Sequence, residues 1–300
     1  MSKASVAHRA ATRRRRRPWQ TPTMVRSYTQ VDVFTSVPYR GNPLAVVHDA
    51  VGIDDETMLR FAQWTNLSET VFLLPPTDRA ADYRVRIFTP ISEIPFAGHP
   101  TLGACHAWLE AGGGPRDPGM IVQECGSGLV RVQRRKDRTL AFEEPPLLRD
   151  GPVDEATLER VCAGLRIPRD WILDAQWADN GPGWVAILLG SASEVLAIDP
   201  GTVDLDIGVV GPYPPGSESA FEVRAFFPLN GATVEDPVTG SLHASIGGWL
   251  SRTGRATPPY LATQGRTLGR DGRVHVTMDD AATIWVGGHA VTCIRGDVGV

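Results

Sequence analysis

From Tyr28 onward, apolar and polar positions alternate with the two-residue period of a β-strand through TQVDVFT. Gly41-Asn42-Pro43 then turns the chain back into PLAVVHD. The period changes over Asp54–Thr65, where Met58, Leu59, Phe61, Ala62 and Trp64 recur at helical spacing behind acids in the first turn, which predicts an amphipathic helix. Glu69–Leu74 reads as a short apolar strand ended by Pro75-Pro76, and DYRVRIF as another. MIVQE, LVRVQRR and TLAFEEP form a predicted meander, and Glu144-Pro145-Pro146 marks a boundary between domains at 27–145 and 146–300. Asp154–Leu165 opens the second half as a helix, the expected counterpart of Asp54–Thr65. GWVAILLG and EVLAID follow as predicted strands, and FEVRAFF as a third that breaks at Pro228. GRVHVTM, ATIWVGG and AVTCI close the chain with tight glycine turns, the last strand being free to return to the first domain. The fold class that follows is α+β.

Two segments depart from amphipathic patterning in the same way. Phe226–Leu250 runs through the turn dipeptide Asn230-Gly231 and the acids Glu235 and Asp236, then enters a helix rich in Gly, Ser and Ala. Phe88–Leu109 passes Pro90 and Ala97-Gly98-His99-Pro100 before a helix of the same character, and both helices end in Trp-Leu. Helices with so little charge are predicted to be buried on most sides. Their likeness points to a duplicated fold. Each has first-turn N–H groups without intrahelical acceptors, so each is readable as an ordinary core helix or as half of a grip on one carboxylate.

Composition narrows the functional classes. At 300 residues, 42% hydrophobic and 21% charged, the chain is ordinary globular material with enough apolar residues for sizeable cores, and no apolar run is long enough for a membrane span. Residues 1–26 stand apart, with Lys3, Arg9, Arg13 to Arg17 and Arg26 and no acid, so the net charge of −4 divides into +8 for this arm and −12 for the rest. The arm reads as a disordered extension, a start upstream of the true one at Met24, or a nucleic-acid contact; no apolar stretch follows it, so it is not a secretory signal. An acidic body makes nucleic acid an unlikely partner. Cys105, Cys125, Cys162 and Cys293 have no zinc-ligand spacing, and the expectation is reduced thiols, a cytoplasmic protein and no metal. No phosphate-binding glycine motif appears, so no cofactor is signalled.

Three motifs then occur in order: NLSET at Asn66–Thr70, GHPT at Gly98–Thr101 and EDPVTGS at Glu235–Ser241. With VDVFTSVPYRGNPLAVV at Val31–Val47, they resemble the signature pieces of the PhzF-like (phenazine biosynthesis) family, which has the diaminopimelate-epimerase-like fold. The resemblance implies two similar halves, each a curved, mostly antiparallel sheet around one central helix, with the site between them. It implies that Glu69 is the general acid–base, its pKa raised by burial, although by pattern alone Glu69 reads as an exposed strand-end acid. It makes Gly98 and His99 a substrate-positioning pair and Asp236 the partner of a substrate amino or hydroxyl group. Ser241 with the amides of Gly240, Ser241 and Leu242 would take the substrate carboxylate, and Tyr39 and Trp184 are expected as pocket walls. His243 is read as packing. Epimerases of this superfamily use a cysteine at the start of each central helix; Ala97 and Asp236 stand there, which excludes a two-cysteine racemase. The implied activity is a cofactor-independent isomerase, a homodimer, that moves a proton and a double bond in a small unsaturated acid. That acid is trans-2,3-dihydro-3-hydroxyanthranilate or another natural-product precursor. The alternative is a non-catalytic carboxylate-binding or regulatory protein using the arginine-rich arm on nucleic acid.

Overall fold

The computed structural model describes residues 24–300; the basic arm lies outside the described residues except for its last three positions. Val25 and Arg26, read from sequence as part of the arm, belong to the first strand, and Arg26 pairs with Asp49.

The first half runs β1 (Val25–Val33), β2 (Asn42–Val47), α1 (Asp55–Thr65), β3 (Thr70–Leu74), β4 (Tyr83–Phe88), β5 (Glu93–Ile94), α2 (Gly98–Glu110), β6 (Met120–Cys125), β7 (Gly128–Arg134) and β8 (Leu140–Glu143). After α3 (Glu155–Leu165) come β9 (Asp174–Trp177), β10 (Val185–Leu188), α4 (Ala192–Ala197), β11 (Ile207–Pro212), β12 (Phe221–Leu229), β13 (Ala232–Glu235) and α5 (Gly240–Arg252). The chain ends with β14 (Tyr260–Gln264), β15 (Gly272–Met278), β16 (Ile284–Gly288) and β17 (Ala290–Gly299).

The two halves repeat one pairing pattern. In the first, β1–β2 is antiparallel, β2–β3 parallel, β3–β4 antiparallel, β4–β6 parallel, and β6–β7 and β7–β8 antiparallel, with β5 a side hairpin on β4. In the second, β9–β10, β10–β11, β11–β12, β12–β14, β14–β15 and β15–β16 repeat that order of senses, with β13 the side hairpin on β12. Each parallel step needs a crossover, which α1, α2, α4 and α5 supply. The halves share hydrogen bonds where β8 pairs with β16, and β17 crosses back to pair with β1.

Three sequence expectations are corrected by this order. EVLAID is not a strand: Ser191 and Glu194 form a capping box and start α4, a helix too short to show a 3.6-residue period. The topological counterpart of α1 is therefore α4. The helix α3 precedes β9 and has no equivalent in the first half; it matches α1 only in its Asp cap and amphipathic face. Nor does Pro228 end its strand. Beyond Phe226 the strand β12 no longer pairs with β11, so proline's missing N–H faces an unladdered side and β12 continues into the β13 hairpin.

The helices α2 and α5 sit inside the curved sheets. On α2, Leu102, Ala104, Cys105 and Ala107 pack with Val33, Leu44, Val71 and Phe142, and the same core takes in Ala244, Val276, Ile284 and Val286 from the second half. On α5, Leu242, Ile246, Trp249 and Leu250 pack against Val210, Val223 and Ala262. Burying each of these larger side chains contributes about 1.5–3 kcal/mol. Small residues let the backbones close in: a Cβ on Gly103 would stand 2.5 Å from Leu44 Cδ2. Among the described residues, no helix is long and apolar enough to cross a membrane.

Candidate active site

The starts of α2 and α5 meet. A Cβ at Gly98 would fall 2.8 Å from both the Gly240 carbonyl carbon and the Ser241 nitrogen, and one at Gly240 3.0 Å from the His99 nitrogen. Two glycines are therefore needed for the two helix ends to touch.

These ends are also left open. The helices α1, α3 and α4 are capped by the side chains of Asp54, Asp154 and Ser191. Neither Ala97 nor Thr239 makes a side-chain cap on α2 or α5. Ala97 has no group to offer. The hydroxyl of Thr239 is turned away and donates to Asp236 Oδ2 at 2.5 Å. The first-turn amides thus lack intrahelical and capping acceptors, and two positive dipole ends converge on one spot.

Glu69 sits next to this junction, one residue before β3. Its Oε2 lies 3.4 Å from His99 Nδ1, and both side chains are largely buried, at 16% and 5% exposure. Burial lifts the Glu69 carboxyl well above the usual carboxylate range, and the Asp236 charge lifts it further. His99 is driven the other way: burial lowers it to about 3, against a contribution from the Pro43 backbone, so the ring is neutral. Glu69 Oε2 and His99 Nε2 are both buried without a hydrogen-bond partner among the described residues. Unpaired buried polar atoms are costly, and a pair of them on neighbouring side chains beside the helix junction makes it a candidate place for a ligand.

Asp236 has a different environment. Burial raises its pKa, but the carboxylate accepts from Thr239 Oγ1, from Asn42 Nδ2 at 3.2 Å and from Ser68 Oγ at 3.4 Å, each favouring the ionised form. Of two neighbouring acids, the one that accepts more hydrogen bonds has its ionised form favoured the more.

Gln264 holds this arrangement from behind. Its Nε2 donates to the Asp236 carbonyl at 3.0 Å and to Thr239 Oγ1 at 2.9 Å, and its Oε1 accepts from the Thr239 amide and from His243 Nε2, each at 3.0 Å. His243 is thus a buried donor in its Nε2–H form, its pKa lowered to about 4 by burial. Glu235, beside Asp236 in sequence, points elsewhere: it forms a buried two-bond pair with Arg224.

Of the sequence-derived site residues, Glu69, His99, Asp236, Gly98, Gly240 and Ser241 converge. Leu242 lies in the first turn of α5 while its side chain lies in the second core. Trp184 is buried, and its Nε1 donates to Ser241 Oγ at 3.4 Å. Tyr39 is 70% exposed on a loop with positive φ, and no hydrogen bond joins its ring to this cluster. Sequence reading missed Asn42, Thr239, Asn180 and Gln264. Asn42 hides inside a turn signal, and Asn180, whose Nδ2 donates to the Ser241 carbonyl at 2.9 Å, inside a glycine-rich loop. Gln264 ends a strand that nothing in the sequence distinguishes.

The chain matches the family model described as phenazine biosynthesis-like protein, PhzC-PhzF, over residues 31–296. It is 36% identical to antisense-enhancing sequence 1 of Schizosaccharomyces pombe, with 90% of this chain and 97% of that protein covered. It is 30% identical to trans-2,3-dihydro-3-hydroxyanthranilate isomerase of Pseudomonas fluorescens, with 91% and 99% covered. The PhzF-family phenazine biosynthesis protein of Bacillus anthracis shares the fold, with a TM-score of 0.76 at 23% identity over 92% of this chain and all of that one. The chain belongs to the phenazine biosynthesis-like PhzC-PhzF family and is an isomerase of it.

Proposed function

We propose that the protein moves a proton and a double bond within a small unsaturated carboxylic acid, without a cofactor, using Glu69 as its single proton carrier. The observation that carries this reading is the environment of Glu69: a buried carboxyl with a raised pKa, beside neutral His99 and the hydrogen-bonded carboxyl of Asp236, at a junction of two uncapped helix starts.

The substrate carboxylate binds the amides of Gly240, Ser241 and Leu242, where the hydroxyl of Ser241 adds a donor and both dipoles favour negative charge. Asp236, held by Asn42, Ser68 and Thr239, takes the substrate's amino or hydroxyl group. Glu69 removes a proton from one carbon as carboxylate and returns it to another carbon on the same face. The π electrons shift between them, and no atom is gained or lost. A carboxyl whose pKa lies well above the ordinary range is matched to taking and giving a proton near neutral pH. His99, neutral and unpaired at Nε2, orients the reacting ring. The substrate class is trans-2,3-dihydro-3-hydroxyanthranilate, as named for the Pseudomonas fluorescens relative, or a natural-product precursor of the same kind. A cytoplasmic location, which the four free cysteines suit, and a homodimeric assembly are part of the proposal.

The test is turnover of trans-2,3-dihydro-3-hydroxyanthranilate in D2O. Deuterium is expected at the reprotonated carbon. Glu69→Gln, nearly isosteric, is expected to fold and bind 3-hydroxyanthranilate while its rate falls by about 10²–10⁴. Near-normal turnover by Glu69→Gln overturns the mechanism, and no turnover by the unaltered protein overturns the substrate.

A further inference from the structure

A cavity of about 460 Å³ outside the Glu69 site is lined by Arg40, Arg266 and Arg270 together with Asp271, Val37 and Gly269. Its walls come from two distant parts of the chain, the loop between β1 and β2 and the turn after β14. They are stapled to each other reciprocally. Arg40 Nη1 donates to the Gly269 carbonyl and Arg270 Nη1 to the Tyr39 carbonyl, each at 3.1 Å, and the Asp271 amide donates to the Arg40 carbonyl at 2.6 Å.

Those bonds use few of the available donors. A guanidinium has five N–H groups in a fixed fork and stays charged. Arg40 and Arg270 each spend one on a carbonyl. Arg266 lies over the Tyr213 ring and forms an ion pair with buried Glu222 at 3.5 Å, without a hydrogen bond to it. The neighbouring acids do not fill the cavity. Glu222 is buried behind it and accepts from the Tyr213 and Thr263 hydroxyls, and Asp32 accepts from the backbone N–H groups of Arg40 and Gly41 while its charge also acts on Arg270. Three guanidiniums therefore face the space against one lining carboxylate, Asp271.

We propose that this cavity is a binding site for a compact dianionic group, the phosphate of a small phosphate ester or the paired carboxylates of a short dicarboxylic acid. Forked donors on a preformed wall suit an oxyanion able to accept several of them at once, and the excess of positive charge favours a dianion over a monoanion. The site adjoins the reaction centre without being part of it. Arg40 lies two residues before Asn42 and Arg266 two after Gln264, and those two side chains hold Asp236.

The experiment is calorimetric titration of the full chain at low ionic strength, where screening is weakest, with inorganic phosphate, malonate and acetate as separate probes. Phosphate or malonate is expected to bind with Kd at or below about 1 mM, and acetate at least about tenfold more weakly. A preference for phosphate identifies a phosphate ester as the ligand class, and a preference for malonate a dicarboxylate. Arg266→Gln, which leaves both staples in place, is expected to weaken the preferred probe by at least about tenfold, and Arg266→Lys, which keeps charge but loses the fork, by less. Ser241→Ala is expected to leave it unchanged, and 3-hydroxyanthranilate binding, read separately, reports on the Glu69 site. The proposal fails if neither dianion binds, if acetate binds as well as the dianions, or if folded Arg266 variants bind phosphate and malonate as the unaltered protein does.

Discussion

At the scale of single residues, the three ionisable groups of the site are set against one another by burial, and this gives opposite pH signatures. For Glu69 the folded-state pKa lies above its usual 4.5, so between that value and the raised one the native state holds a proton the unfolded chain has released. Stability then falls as pH rises through that window. Glu69→Gln removes the term, so the variant is expected to melt above the unaltered protein at about pH 8–9 and to lose that advantage toward about pH 4. His243 has the opposite sign. Its pKa falls from 6.5 to about 4, so the unfolded state binds the extra proton and stability is lost as pH drops through that interval. The loss is on the order of 3 kcal/mol. Urea titrations at stepped pH are expected to show His243→Gln losing less stability than the unaltered protein between those limits. A steeper acid loss in the variant contradicts this account.

At the scale of elements, what matters is that two helix starts touch and are left uncapped while the peripheral helices are capped. Gly98→Ala places a methyl group 2.8 Å from the backbone of Gly240 and Ser241, which cannot move aside as a flexible side chain would. The expected cost is about 1–3 kcal/mol in stability, with 3-hydroxyanthranilate binding weakened as the two ends are pushed apart. Ser191→Ala is the contrast: it removes the capping box of α4, costs about 1 kcal/mol, and leaves ligand binding unchanged. Denaturant midpoints and ligand titrations on the two variants check both. Equal ligand affinity in folded Gly98→Ala and the unaltered chain would contradict the close-contact argument.

At the scale of the whole molecule, the repeated topology does not give two separate cores. Ala244, Val276, Ile284 and Val286 pack into the same cluster as Leu44, Leu102 and Phe142, β8 pairs with β16, and β17 closes on β1. A single cooperative calorimetric transition is therefore expected, with equal calorimetric and van't Hoff enthalpies. Two resolved transitions would show that the shared strands and core do not couple the halves.

The sequence by itself determined most strands and the two buried helices, whereas Glu69, His99, Asp236 and Ser241 were singled out only by resemblance to the family's motifs, Glu69 reading by pattern alone as an exposed strand-end acid. Periodicity, small-residue content and turn chemistry are local properties that one stretch of chain displays in full. It misread Glu194–Asp199 as a strand because four apolar residues are too few to separate a period of 2 from one of 3.6, although the Ser191–Glu194 capping signal was present. It paired α3 with α1 because caps and amphipathic faces look alike whatever place in the sheet order a helix takes. Only the tertiary structure shows how Glu235 and Asp236 part, Glu235 held in a buried pair by Arg224 and Asp236 turned to Asn42, Ser68 and Thr239. It alone supplied Asn42 and Gln264, whose partners lie 194 and 28 residues away along the chain. A hydrogen bond across that distance leaves no period, cap or turn in the local sequence, so it becomes visible only when the fold brings the strands together.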